Sequence, residues 1–463
     1  MKRILSIILT VLTLSLICNA QISNPTVYVT ENGTLWGTDG TGGYFANSIT
    51  ATQFMYNVNH GVYSGNITVR FAGGDYYNDF VFDNIPTNIQ SIKMYGGWNP
   101  SAPINKRGYD DRDFYHYETR FYGTEHDDLV RFAGVGLYHP NGAGTCIIDG
   151  ISFVGTGNTI NHSALALYYG DHIISQCKFY KFSTSTWLIW METANHTVTY
   201  TSCLFVQNNA SHLMTLFTHV DLINVTIADN QLGNDMFIPA YSHNPGTQSY
   251  NALFNYNLYN SIIYGNSNMH MGYVLFNDVS NSILENNESW ITNITNNYIG
   301  STYDPLFNTY SSAPYSCDYY SSPAIGAGNA FYIYSSSFYD SDIMDYDVAN
   351  MYRYYDFYAL KTDIGAYQSG YDDGTHLYNA VGPTLSAPQR HIEASIEPDI
   401  IAIDANDIQT GAILTLYDIS GKIIYTTFAE NGLNAHTLNS GVYVAIVASK
   451  DGQEISSRKI VIP

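Results

Sequence analysis

The chain has 463 residues, with 18 Lys plus Arg against 40 Asp plus Glu and a formal charge of −22. That acidic excess makes nucleic acid and anionic membrane poor partners and suits solubility in a crowded, cation-rich exterior, with calcium a reasonable guest. The 37 Gly and 42 Tyr, with only 13% charged residues, fit an exported all-β protein.

Lys2 and Arg3 precede an apolar run from Ile4 to Leu16, followed by Cys18, Asn19 and Ala20. Residues 1–20 are expected to be a secretory signal peptide cleaved after Ala20. The run is too short to span a bilayer, and no later stretch is long enough, so no transmembrane helix is expected. Ile17 precedes Cys18 where a lipidation site has a small residue, which disfavours a lipid anchor.

Residues 21–123 read as an N-terminal cap with the first strands. Phe54, Met55 and Val58 behind Ser48 and Thr50 predict a short amphipathic helix within Ser48 to His60. Strands are expected at Ile67 to Phe71, Phe80 to Phe82 and Ile92 to Tyr95. A cap is needed because the first coil of a solenoid otherwise exposes unpaired backbone and apolar side chains.

From Cys146 to Asn287 one pattern returns six times, beginning at Ile151, Cys177, Cys203, Val225, Ser261 and Ser282. The large apolar residue two positions on is Phe153, Phe179, Phe205, Ile227, Ile263 and Leu284. Spacings of 26, 26, 22, 36 and 21 residues predict stacked coils with loops of varying length between strands of about five residues. Coils about 4.8 Å apart would bury the apolar residues as one column. Asn208, Asn230, Asn266 and Asn287 follow at the fifth position, where Asn suits a left-handed turn and an amide ladder between coils. This pattern resembles the right-handed parallel β-helix of the pectin-lyase-like superfamily, a fold that carries no particular reaction.

A more specific resemblance lies at the two ends of residues 25–370. Met94-Tyr95-Gly96-Gly97-Trp98, Arg112-Asp113 and Thr119 to Gly123 resemble the opening region of the choice-of-anchor Q proteins. Asp304-Pro305-Leu306-Phe307, Ser322 to Gly328 and Asp363 to Gln368 resemble that family's closing motifs in order. Gly326 stands where the family usually has Asp, and Gln368 where it has Glu. The parallel β-helix with its closing region is expected over residues 124–370.

The chemistry-bearing residues are sparse. A lyase needs a Lys or Arg base beside a carboxylate, and between Phe132 and Tyr352 the only Lys or Arg are Lys178 and Lys181. A hydrolase needs paired carboxylates on adjacent coils, and the candidates Asp149, Asp221 and Asp278 do not fall on adjacent coils in one column. His172, His196 and His219 lie near coil starts, either as one ridge that binds metal or protonates together on acidification or, being out of step, as separate surface histidines. Cys177 and Cys203 occupy equivalent inward positions, as buried thiols or as a bridged pair. Between Thr309 and Tyr358, tyrosines including Tyr339, Tyr346 and Tyr352 surround Asp340, Asp342, Asp345 and Asp347. They form either a cap over the last coil or a sugar-binding surface, and the four carboxylates are candidate calcium ligands.

Residues 371–392 read as a linker, and residues 393–463, with short strands and turns, as a small β-sandwich. Leu416-Tyr417-Asp418-Ile419-Ser420-Gly421-Lys422, then Gly441-Val442-Tyr443, then Lys459 to Pro463, resemble the C-terminal sorting domain of type IX secretion cargo. The resemblance implies a Bacteroidota protein handled by the type IX machinery and delivered to the cell surface or exterior. The expected role is binding of a glycan or of a host or neighbour surface; the alternatives are a polysaccharide lyase or hydrolase acting on acidic polysaccharide, and a structural stalk.

Overall fold

The computed structural model describes most of residues 22–367 and the strands within 396–462. Among the longer segments outside the description are 34–47, 101–111, 133–144, 268–275, 286–293, 335–343 and 351–360. The signal-peptide residues 1–20 and the linker residues 371–392 also lie outside the described residues. The chain divides into two compact units, one holding Met1–Gly328, Tyr332–Tyr354 and Asp363–Thr375, the other chiefly His376–Pro463.

The first unit is a parallel β-helix. Among the described residues its first and second sheets run through nine coils, from Tyr63–Ala72 and Gly74–Tyr76 to Ile294–Thr295 and Tyr298–Ile299. A third sheet follows them for six coils, from Phe80–Phe82 to Gln231–Leu232. Regular coils thus begin at Tyr63, and the strands expected beside the cap are full members of the stack. The cap contains the helix Ala51–Asn59, whose N-terminal Thr50 hydroxyl accepts from the Gln53 amide at 3.2 Å. Its buried Phe54 meets Phe71 and Phe82 at ring distances of 6.3 and 5.8 Å, closing the apolar end of the stack.

The repeat column is in register: Phe153 pairs with Phe179, then Phe205, Ile227, Ile263 and Leu284. All six are buried, and the phenylalanine rings stack at 4.4 and 4.7 Å. The column continues two coils further, through Phe121 and Tyr76. Its strands are two to four residues long rather than about five. The cause is a left-handed residue before each of the six segments, at Gly150, Gln176, Ser202, Asn224, Asn260 and Asn281, which bends the chain.

The asparagine ladder is present but the turn is not where the sequence put it. Left-handed backbone falls one residue earlier, at Gln207, Asp229 and Gly265. Asn208 donates to Asn230 at 2.9 Å and Asn230 to Asn266 at 2.8 Å, all three buried, while Asn287 lies outside the described residues. Cys146, Cys177 and Cys203 are free, buried thiols. The Cys203 and Cys177 Sγ atoms donate to carbonyls of the preceding coil, and burial pushes the Cys146 thiol up to about 12.

The closing motifs form a return segment along the corner between the first two sheets. The amides of Gln176, Asn224 and Asn281, all left-handed corner residues, donate to the carbonyls of Asp347, Asp363 and Ala327 at 2.7, 2.8 and 3.1 Å. The Asp363 carboxylate accepts from the Gly326 amide at 2.6 Å. Gly326 has a φ of +62° with open space around its α-carbon, a position that Asp also tolerates. Gly365, at φ +99°, has no such latitude, since a Cβ there would lie 2.7 Å from the Ile262 side chain.

In the second unit, Ile423–Phe428, Ile413–Asp418, Gly441–Ala448 and Glu454–Ile462 form a four-stranded antiparallel sheet. Ile396–Glu397, Ile400–Ile401 and Leu433–Asn434 form a second antiparallel sheet of three strands.

Candidate functional site

The carboxylates singled out from sequence are mostly engaged in the fold. Asp149 is buried and pairs with Arg112 at 2.5 Å, with both side chains at most 1% exposed. Arg112 also donates to the Gly96 carbonyl at 2.8 Å and lies over the rings of Phe114 and Trp98 at 4.5 and 5.3 Å. Gly97 and Gly150 take left-handed backbone, and a Cβ on either would fall 2.2 Å from Phe114 or Arg112. The opening motif is therefore a buried clasp, and Asp149 is inaccessible to a substrate.

Asp221 accepts from Asn257 at 2.8 Å, and burial raises its carboxyl above the usual range while Asn257 and His219 oppose that. Asn257 separates it in register from Asp278, so these two carboxylates lie two coils apart, roughly 9.6 Å at the spacing of stacked strands. His172 is buried in the column between Cys146 and Val198, His196 lies 3.5 Å from Asp171, and His219 accepts from the Asn255 amide. The three do not form one ridge.

Lys178 belongs to a charge row on the outer second sheet, in register with Ser152, Arg120 and Asp75. It meets Glu118 at 3.4 Å, and Arg120 meets Asp75 at 2.6 Å. Burial pushes the Glu118 carboxyl up, but Lys178, the Ser152 hydroxyl and Arg120 together hold it below its ordinary value. A groove of about 300 Å³ opens beside this row, lined by Gly73, Gly74, Pro100, His116, Tyr117, Glu118 and Arg120. Tyr77 and Tyr122 stack there at 4.8 Å with planes 14° apart, so their facing surfaces are hidden from a ligand.

Of the tyrosine and aspartate cluster, Tyr339, Tyr346, Tyr352, Asp340, Asp342 and Asp345 lie outside the described residues. Asp347 is buried, with its carboxylate accepting from the Ala349 amide. Among the described residues no group of three or more acidic, His or Cys side chains is arranged to hold a metal ion.

The outer face of the third sheet is different. In the strand Ser183–Met191 the consecutive residues Leu188 and Ile189 both enter the core, so the alternation of faces is broken between Trp187 and Trp190 and the two indoles meet on one face. A Trp-x-x-Trp spacing in a regular strand sends the two side chains to opposite faces, which is why sequence reading missed the pair. Ile189 and Met191 point into the core, while Trp190 stands on the outer row between Ala166 and the Thr215 position. Ala166 and Thr215 are small and fully covered, leaving room for the indole. Trp187 and Trp190 meet edge to face at 4.7 Å, and Trp190 meets Phe217 at 5.6 Å. All three are half-buried, and the two indole N–H groups have no acceptor among the described residues.

Polar groups flank this cluster. Arg131, in register with Ala166, is held by Asp83 through two bonds of 2.8 and 2.7 Å and by Asp128 at 3.3 Å. Burial and the Asp128 charge push the neighbouring Tyr168 phenol up, with Arg131 opposing. Glu192, two residues beyond Trp190, is exposed. The surface therefore joins aromatic rings to hydroxyl-bonding groups, the pairing that a sugar ring with one apolar face requires.

Comparison with known families speaks to the second unit. Residues 397–463 match the secretion system C-terminal sorting domain. The chain carries a type IX sorting domain. This domain is handled by the type IX machinery and delivers the protein to the cell surface or extracellular space. Its three signature stretches lie on neighbouring strands: Leu416, Tyr417 and Asp418 pair with Ala445, Val444 and Tyr443, and Val444 pairs with Lys459. Leu416 is buried and Gly441 opens its strand, while Ser420, Gly421 and Lys422 lie outside the described residues. No curated protein and no solved structure matches the chain. Among the described residues no helix is long and apolar enough to cross a membrane.

Proposed function

We propose that this exported β-helix protein is a surface-binding, adhesin-like protein that takes glycan on the outer face of its third sheet, around Trp187, Trp190 and Phe217. The observation that carries the reading is two indole donors without acceptors among the described residues, beside half-buried aromatic rings on one side of the solenoid. An unmade hydrogen bond at a buried donor costs about 1–3 kcal/mol, which a small ring rotation toward a sugar hydroxyl would recover. The choice-of-anchor Q resemblance is supported by the structural work of its motifs, the Arg112 clasp and the Gly365 return segment.

The binding test is retention of the purified chain on a panel of immobilised glycans, with Trp190→Ala as the control. Retention of the parent on at least one glycan, lost in the variant, is the expected result; equal retention of both would overturn the assignment of the site. A hydrolase reading has one observation in its favour, the raised carboxyl of Asp221 two coils from Asp278. It requires new reducing ends from a glycan and their loss in Asp221→Asn.

A further inference from the structure

Resting on that glycan-binding reading, we propose that the ligand of the third-sheet face is an uncharged glycan chain several sugars long, and not a uronic or sulfated polymer. The argument begins with charge. Among the described residues the face carries three carboxylates, Asp83, Asp128 and Glu192, against one guanidinium, that of Arg131. Arg131 already holds two of those carboxylates, one of them through paired bonds. A polyanion arriving here would have to compete with Asp83 for the guanidinium while facing Glu192 one coil beyond Tyr168. The chain as a whole adds repulsion, with a formal charge of −22.

What the face offers instead suits neutral hydroxyls. Trp190 supplies an apolar ring, Tyr168 a phenol and Glu192 an exposed acceptor, on adjacent coils about 4.8 Å apart. From Asp83 to Phe217 the face crosses successive coils and spans roughly 15–20 Å at that spacing, long enough for several linked rings. The aromatic end is then a stacking subsite, and the Arg131 end, with its geometry already fixed by Asp83 and Asp128, is a rigid hydrogen-bonding subsite.

The test compares mobility of the full chain in gels containing uncharged glucans, mannans or xylans with gels containing alginate, polygalacturonate or sulfated galactan. Each is run at about 0.05 M and about 0.5 M salt, where the screening length falls from about 14 Å to about 4 Å. Retardation by an uncharged glycan that is indifferent to salt, and that weakens more than about tenfold in Trp190→Ala, is expected. Retardation only by the anionic polymers, weakened by salt and still lost in Trp190→Ala, would overturn this inference while sparing the binding site. Retardation by no glycan, or retardation untouched by Trp190→Ala, would overturn both. Circular dichroism of each variant keeps a folding defect from being read as lost binding.

Discussion

The first and third sheets turn outward faces of different composition on the same solenoid. On the first sheet the outward row begins with buried Ile147, Ile173 and Thr199 and continues into half-buried Asp221, Asn257 and Asp278, and the return segment runs along the corner beside it. On the third sheet the outward residues include two half-buried tryptophans, a phenylalanine and an exposed glutamate. Both faces are built from equivalent strands, so the architecture does not decide their roles. The difference teaches that a solenoid's own later chain can line one corner while another face keeps half-buried aromatic rings at the surface.

The interior column underlies both faces, and breaking it should have the largest effect. Phe205→Asp puts a carboxylate into a dry aromatic stack and should abolish the cooperative melt and the strand signal in circular dichroism. An unchanged melt would mean the register is wrong. Asp149→Ala comes next: it strands Arg112 in a buried site and should cost about 3–5 kcal/mol by chemical denaturation. Loss of less than about 1 kcal/mol would show the clasp to be dispensable.

A direct contrast of the two faces follows. Ile173→Ala, on the covered face, should cost about 2–4 kcal/mol, whereas Trp190→Ala, which removes more atoms, should cost only about 1 kcal/mol. The reverse order would erase the distinction drawn here. The smallest effect concerns pH. The folded Glu118 carboxyl lies below its ordinary value of about 4.3, so its contribution is complete above that value and disappears as pH falls through the folded one. The melting temperature of the parent should therefore fall more steeply on acidification below about pH 4 than that of Glu118→Gln.

Much of the fold was legible because a period written in Phe153, Phe179, Phe205 and Ile227 needs only strand stacking to become a column. The sorting strands were legible for a related reason, since their motifs are local. The left-handed turns were displaced by one residue from the asparagines because the ladder amides and the turn backbone are separate requirements on neighbouring positions. The third-sheet face was hidden because its geometry depends on the broken alternation at Leu188 and Ile189 and on small partners, Ala166 and Thr215, distant in sequence. Asp149 read as a candidate acid for the same reason: its partner Arg112 is 37 residues away.

The most direct measurement is hydrogen–deuterium exchange of the full chain with and without a glycan that retains it. Protection concentrated in Ser183–Met191 and Asn209–Leu216, with Asp171–Ser175 and Thr197–Thr201 unchanged, is the predicted result. Protection confined to the first-sheet strands would contradict the assignment of binding to the third-sheet face.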